Sequence, residues 1–174
     1  GFEGEVIYIR VVQDCNTVVF DTTQITLSVV PTPIVDVLPD VTVCDSYILP
    51  ALTVGDYFSG PNGTGTAYIA GQSITATSTL YIYAESGTTP NCFTESSFVV
   101  TVNDTPVVPT PSDVVNCGPY MLPSVAVGNY YSGPGGTGTP YFAGDMIPGS
   151  MLMYLYAETG TVPNCFSESS FDIL

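Results

Sequence analysis

Pro90-Asn91-Cys92-Phe93-Thr94-Glu95-Ser96-Ser97-Phe98 is written a second time, with one substitution, as Pro163-Asn164-Cys165-Phe166-Ser167-Glu168-Ser169-Ser170-Phe171. The first version runs on into Val99-Val100-Thr101-Val102, which puts Phe98, Val100 and Val102 on one face and Val99 and Thr101 on the other. That alternation is the pattern of a half-buried β-strand. A strand announced by a cysteine and then copied makes the fold a question about one repeating unit.

Outward from this stretch, residues 44–98 align with residues 117–171 without a gap, a period of 73 in which 32 of 55 positions are identical. Self-similarity of that degree marks a tandem repeat. Cys-x-x-Tyr-x-Leu-Pro (Cys44, Tyr47, Leu49, Pro50) returns at Cys117, Tyr120, Leu122 and Pro123. Ser-Gly-Pro-x-Gly-Thr-Gly-Thr at 59–66 returns at 132–139, and Tyr-x-Tyr-Ala-Glu at 81–85 returns at 154–158. The retained residues are turn formers, cysteines and aromatics, the types that fix a backbone. Spacers and adhesive modules are copied in tandem far more often than catalytic sites.

Proline (15) and glycine (17) interrupt the chain every few residues and leave only short β-branched and aromatic runs between them, so the expected class is all-β. Strands are expected at 41–44, 47–49, 57–59, 67–69, 79–85 and 97–102. Leu80-Tyr81-Ile82-Tyr83-Ala84 is apolar on both faces and is expected at the centre of a sheet. Proline-rich stretches around Pro31, Pro33 and Pro39, and again at Pro106, Pro109 and Pro111, read as stiff connectors. They divide the chain into residues 1–32, the end of a preceding unit; 33–105, one repeat; and 106–174, a second repeat cut at its last strand.

Units of about 70 residues sit near the lower limit of independent stability and are commonly stapled. Cys44 and Cys92 have a sequence separation of 48, as do Cys117 and Cys165, which predicts one disulfide inside each repeat. Each such loop restricts the unfolded chain by roughly 4 kcal/mol on the chain-entropy account. Cys15 is left without a partner in this sequence, and its partner is expected upstream of Gly1. Short antiparallel strands with a cysteine pair from an early to a late strand predict small immunoglobulin-like β-sandwich domains in a linear array.

Sixteen carboxylates face one cation, Arg10, for a formal charge of −15. Nucleic acid is excluded as a partner, since phosphates require clusters of Lys and Arg. Charged residues are nevertheless only 10% of the chain and hydrophobic ones 45%, ample for a folded core. No apolar run approaches the roughly 20 residues of a membrane span, so direct membrane insertion is not expected. With no histidine in the sequence, Ser/His/Asp and Cys/His catalysis lack their base and zinc lacks a common ligand. The chain is not expected to be an enzyme, and no cofactor is expected.

Some residues invite a binding role. Gly60-Pro61-Asn62-Gly63-Thr64-Gly65 and its twin at 133–138 are rich in glycine but lack the Lys and the following helix of a phosphate loop, and read as a turn needing positive φ. Glu85 and Glu158, carboxylates kept in both copies, are weak calcium candidates. Tyr57, Phe58, Tyr130 and Tyr131 are candidates for stacking on a glycan. Asn62-Gly63-Thr64 and Asn103-Asp104-Thr105 fit the N-glycosylation pattern.

The set of motifs, with Gly-x-Tyr-Tyr/Phe-Ser-Gly and Ala-Gly-x-x-Ile added, resembles the tandem repeats of very large cell-surface adhesins of Bacteroidetes, among them gliding-motility proteins exported by type IX secretion. The resemblance covers approximately residues 33–174. It implies an extracellular, outer-membrane-associated stalk or filament, with neighbouring repeats, surface glycans or other adhesin chains as partners. Asp21-Thr22-Thr23 resembles the O-glycan acceptor of that phylum, with Thr22 as the modified residue.

Overall fold

The computed structural model describes residues 6–11, 21–26 and 29–174, and among them every regular element is a strand. β1 (Val6–Val11) pairs antiparallel with β2 (Asp21–Thr26). The first copy contains β3 (Val41–Cys44), β4 (Tyr47–Ile48), β5 (Asp56–Gly60), β6 (Thr64–Tyr68), β7 (Ser73–Ile74), β8 (Ser78–Glu85) and β9 (Phe93–Asn103). The second contains β10 (Tyr120–Met121), β11 (Asn129–Gly133), β12 (Thr137–Tyr141), β13 (Met146–Ile147), β14 (Met151–Glu158) and β15 (Phe166–Ile173). The protein is all-β, as its punctuation by proline and glycine leads one to expect.

In the first copy the strands form one sheet in the order β3-β9-β8-β5-β6 and a small one, β4-β7. β8 lies centrally because its residues are apolar on both faces. Leu80 and Ile82 are fully buried, while Tyr81 and Tyr83 lie half-buried on the opposite face. Leu49 and Ile74, beside or within the small sheet, close over Leu80, Ile82, Phe98, Val100, Tyr57 and Val35 to make the core. Burying each large apolar side chain contributes roughly 1.5–3 kcal/mol. β3 runs parallel to β9, with Val41 opposite Val100 and Cys44 opposite Asn103.

The second copy follows the same plan one period later. Its sheet order is β12-β11-β14-β15 with β10-β13 beside it, and the parallel pairing of β3 survives as a Val114–Ile173 bridge. Its core is separate and built from Val108, Leu122, Tyr130, Ile147, Met153, Leu155, Phe171 and Ile173, each one period beyond its first-copy counterpart. The exchanges Leu80 to Met153 and Ile82 to Leu155 nearly conserve volume, so both cores fill the same space. β1 and β2 obey the period as well: Val6 stands opposite Thr26, as Thr79 stands opposite Val99.

The cysteine pairing differs from the sequence expectation. Cys44 is bonded to Cys165, across the copies, with Cα atoms 5.7 Å apart, and Cys92 and Cys117 carry free thiols. The cause is the length of β9. Cys44 stands beside Asn103 at one end of that 11-residue strand, and Cys92 precedes Phe93 at the other. At about 3.3 Å per residue the two are roughly 35 Å apart, far beyond the reach of a disulfide. Cys117 and Cys165 are divided by β15 in the same way. Cys15 lies outside the described residues.

Candidate functional site: the joint between the copies

The joint is assembled where β9 leaves the first copy. The Asn103 carbonyl accepts the Asp45 N–H at 3.0 Å, and Cys165 Sγ, bonded to Cys44, lies 3.7 Å from the same oxygen. The Asn103 side-chain amide donates to Thr161 Oγ1 of the second copy at 3.2 Å. Asp45, in the left-handed region at φ 62°, turns its carboxylate onto the connector and accepts the Thr105 N–H at 2.8 Å and the Thr105 hydroxyl at 2.7 Å. The backbone donor first, and the hydroxyl second, hold the Asp45 carboxyl below the usual aspartate range.

Beyond Thr105 the connector is sewn to the second copy. Ser167 Oγ donates to the Pro106 carbonyl and accepts the Val108 N–H, and Ser169 Oγ donates to the Pro109 carbonyl. The first copy holds its own entering connector likewise, through Ser96 Oγ on the Asp36 carbonyl at 2.7 Å. Prolines set the direction of this segment, and serines of the late strand fix it in place.

On the sheet face away from the core each copy carries an aromatic row. Phe58 meets Tyr83 edge-on at 6.3 Å, and Tyr83 meets Phe93 at 5.9 Å; Tyr131, Tyr156 and Phe166 repeat this at 6.2 and 5.9 Å. The glycine-rich turn lies against the row. Asn62 (φ 56°) and Gly63 (φ 67°) form the two left-handed positions of a tight hairpin, and Gly63 sits on the Tyr83 ring so closely that a Cβ would stand 2.9 Å from it. Glu95 accepts the Asn62 N–H and Glu168 accepts the Gly135 N–H, bracing the turns from the late strand. Beside Phe58 and Tyr83 the surface opens into a depression of about 440 Å³, and beside Tyr131 and Tyr156 into one of about 330 Å³.

The predicted glycan contacts therefore divide. Tyr57 and Tyr130 are 2% and 1% exposed, and belong to the cores with their hydroxyls on the carbonyls of Pro50 and Pro123. Burial pushes the Tyr57 phenol up to about 12. Those two assignments are corrected, since neighbours on a strand face opposite ways; Phe58 and Tyr131 are on the outer face. Glu85 and Glu158 are engaged locally. Each accepts a tyrosine hydroxyl two residues back and an asparagine amide six residues on. The Asn164 amide first, and the Tyr156 hydroxyl second, hold Glu158 below the ordinary glutamate range. Among the described residues no group of three or more carboxylates or thiols converges as a metal site. Thr22 stands on β2 opposite Arg10.

Several contributors escaped the sequence reading. Asp45 is replaced by Gly118 in the second copy, so repetition did not mark it. Ser96, Ser169, Phe93 and Phe166 were marked by repetition, within Pro-Asn-Cys-Phe-x-Glu-Ser-Ser-Phe, but without an assignable task. Compared with known proteins, the chain matches no family model, and no curated protein is significantly similar to it.

Proposed function

We propose that the chain is a non-catalytic structural segment of a large extracellular adhesin. In this reading residues 33–105 and 106–174 are consecutive immunoglobulin-like β-sandwich domains, and residues 1–32 complete a preceding one. The observation that carries it is the Cys44–Cys165 bond between two separate cores related by the repeat period. A bridge between copies makes each copy a link and the joint a covalent element of the chain. Three features support a stalk or filament: connectors tied down by Ser96, Ser167 and Ser169, a charge of −15 that keeps neighbouring rods apart, and a disulfide, which favours an oxidising, extracellular setting. The motif resemblance to Bacteroidetes surface adhesins gives gliding or surface attachment as the task of the parent protein.

Small-angle X-ray scattering on the oxidised chain tests the segment reading. A two-lobed, extended particle is expected, with a radius of gyration well above the about 16 Å of a single globule of this length. A near-spherical envelope contradicts it. The outer aromatic rows favour a second reading, an adhesive module in which Phe58, Tyr83 and Phe93 and their twins stack on a sugar ring. A glycan array separates the two, because a spacer binds nothing on it and Tyr83→Ala abolishes any binding that uses the row.

A further inference from the structure

Each full copy carries a cysteine at either end of its long strand, and the observed bond joins the outgoing end of one copy to the incoming end of the next. Two thiols remain among the described residues, Cys92, half-buried, and Cys117, exposed. Cys117 is the outgoing counterpart of Cys44, and Cys92 the incoming counterpart of Cys165. The surroundings of Cys92 reproduce those of the bonded Cys165. Its N–H donates to Ser86 Oγ at 3.0 Å, as that of Cys165 donates to Thr159 Oγ1 at 3.0 Å. Its carbonyl accepts the Ser86 N–H at 2.8 Å, as that of Cys165 accepts the Thr159 N–H at 2.9 Å. Its thiol donates to the Val30 carbonyl at 3.8 Å, where Cys165 Sγ lies 3.7 Å from the carbonyl of Asn103, the counterpart of Val30 one period on. The backbone and hydroxyl contacts that seat Cys165 are thus repeated around Cys92, whereas the Asn103 amide contact to Thr161 is not, since Val30 stands in that place.

We infer that bridging follows the repeat: the outgoing cysteine of each copy bonds the incoming cysteine of the copy after it. Cys117 then takes the incoming cysteine of a following repeat of this kind, and Cys92 takes the outgoing cysteine of a preceding one. The inference rests on the tandem-array reading. A bridge from Cys117 starts inside the loop closed by Cys44 and Cys165, so successive bridges overlap and load passes along interlocked covalent loops. Oxidised glutathione suffices as the oxidant. One cysteine thiolate attacks it to give a mixed disulfide and one glutathione; the second attacks the protein sulfur of that mixed disulfide and releases another. Two thiols lose two protons and two electrons, and one glutathione disulfide becomes two glutathiones.

The test extends the chain by one copy, residues 102–174 placed again after Leu174, which keeps the period. Cys15→Ser leaves Cys44 as the single cysteine of fragment 6–85, and Val162→Leu in the added copy alone labels its incoming fragment by mass. After oxidation by glutathione disulfide and cleavage at glutamate, the labelled fragment is expected on fragment 96–158, which holds Cys117, with the Cys44–Cys165 link retained. The labelled fragment bonded to its own copy, or recovered as a thiol or glutathione adduct, overturns the inference. If Cys44–Cys165 persists in that case, the array stands and only the relay fails; if it too is lost, the array reading fails as well. A second measurement uses the unextended chain, reduced and reoxidised at low concentration. Cys44–Cys165 is expected to return with Cys92 and Cys117 unbridged to each other, and a Cys44–Cys92 or Cys92–Cys117 bond overturns the inference.

Discussion

At Gly63 and Gly136 a single hydrogen is all the space permits. Both have positive φ, and a Cβ at Gly136 would lie 2.7 Å from the Tyr156 ring. Gly136→Ala is therefore expected to cost about 1–3 kcal/mol, from the left-handed backbone and the displaced ring together. Gly135→Asn, which copies the Asn62 that occupies the same place in the first turn, is expected to be near neutral. Denaturant melts of the two variants check this, and equal losses contradict it. These turn positions were legible in the sequence because adjacent positive φ values demand Asn-Gly or Gly-Gly. The inward and outward assignments of Tyr57 and Phe58 were not, because both are aromatic and only the parity of the strand against its neighbours separates them.

At the scale of the element, β9 does most of the organising. It pairs with β8 on one side and β3 on the other, braces the turn through Glu95, holds the connector through Ser96 and ends at the joint. Its existence was plain from the alternation of Phe98, Val100 and Val102. Its consequence for the cysteines was not, since pairing within a copy and pairing across copies respect the period equally well, and only the strand's length and the parallel β3 pairing choose between them. The joint at its end is sensitive to acid. The folded-state pKa of Asp45 is lowered, so its stabilisation is complete above the unfolded aspartate value of about 4 and is lost as pH falls through the lower folded value. The Thr105 amide proton resonance is expected to hold steady from neutral pH to about 4 and to shift on further acidification. Asp45→Asn removes the step; a wild-type profile without one contradicts the account.

Across the whole molecule the bridge decides how the chain answers force. Pulled from its two termini with Cys44–Cys165 intact, the chain between those cysteines, a sequence separation of 121, is shielded. At up to about 3.5 Å per residue, full extension then reaches about 190 Å, against about 600 Å after reduction. Single-molecule stretching with and without reductant measures that difference, and equal lengths contradict it. Closing a loop of this size restricts the unfolded chain by about 5 kcal/mol, so Cys165→Ser is expected to lower the melting temperature while Cys117→Ser leaves it unchanged. The central claim, that the bond joins copies, is tested most directly by mapping disulfides in the oxidised Cys15→Ser chain after cleavage at glutamate, which places Cys44, Cys92, Cys117 and Cys165 on four separate fragments. The account predicts fragment 6–85 bonded to fragment 159–168, with Cys92 and Cys117 recovered as thiols; fragment 6–85 bonded to 86–95, with 96–158 bonded to 159–168, would contradict it.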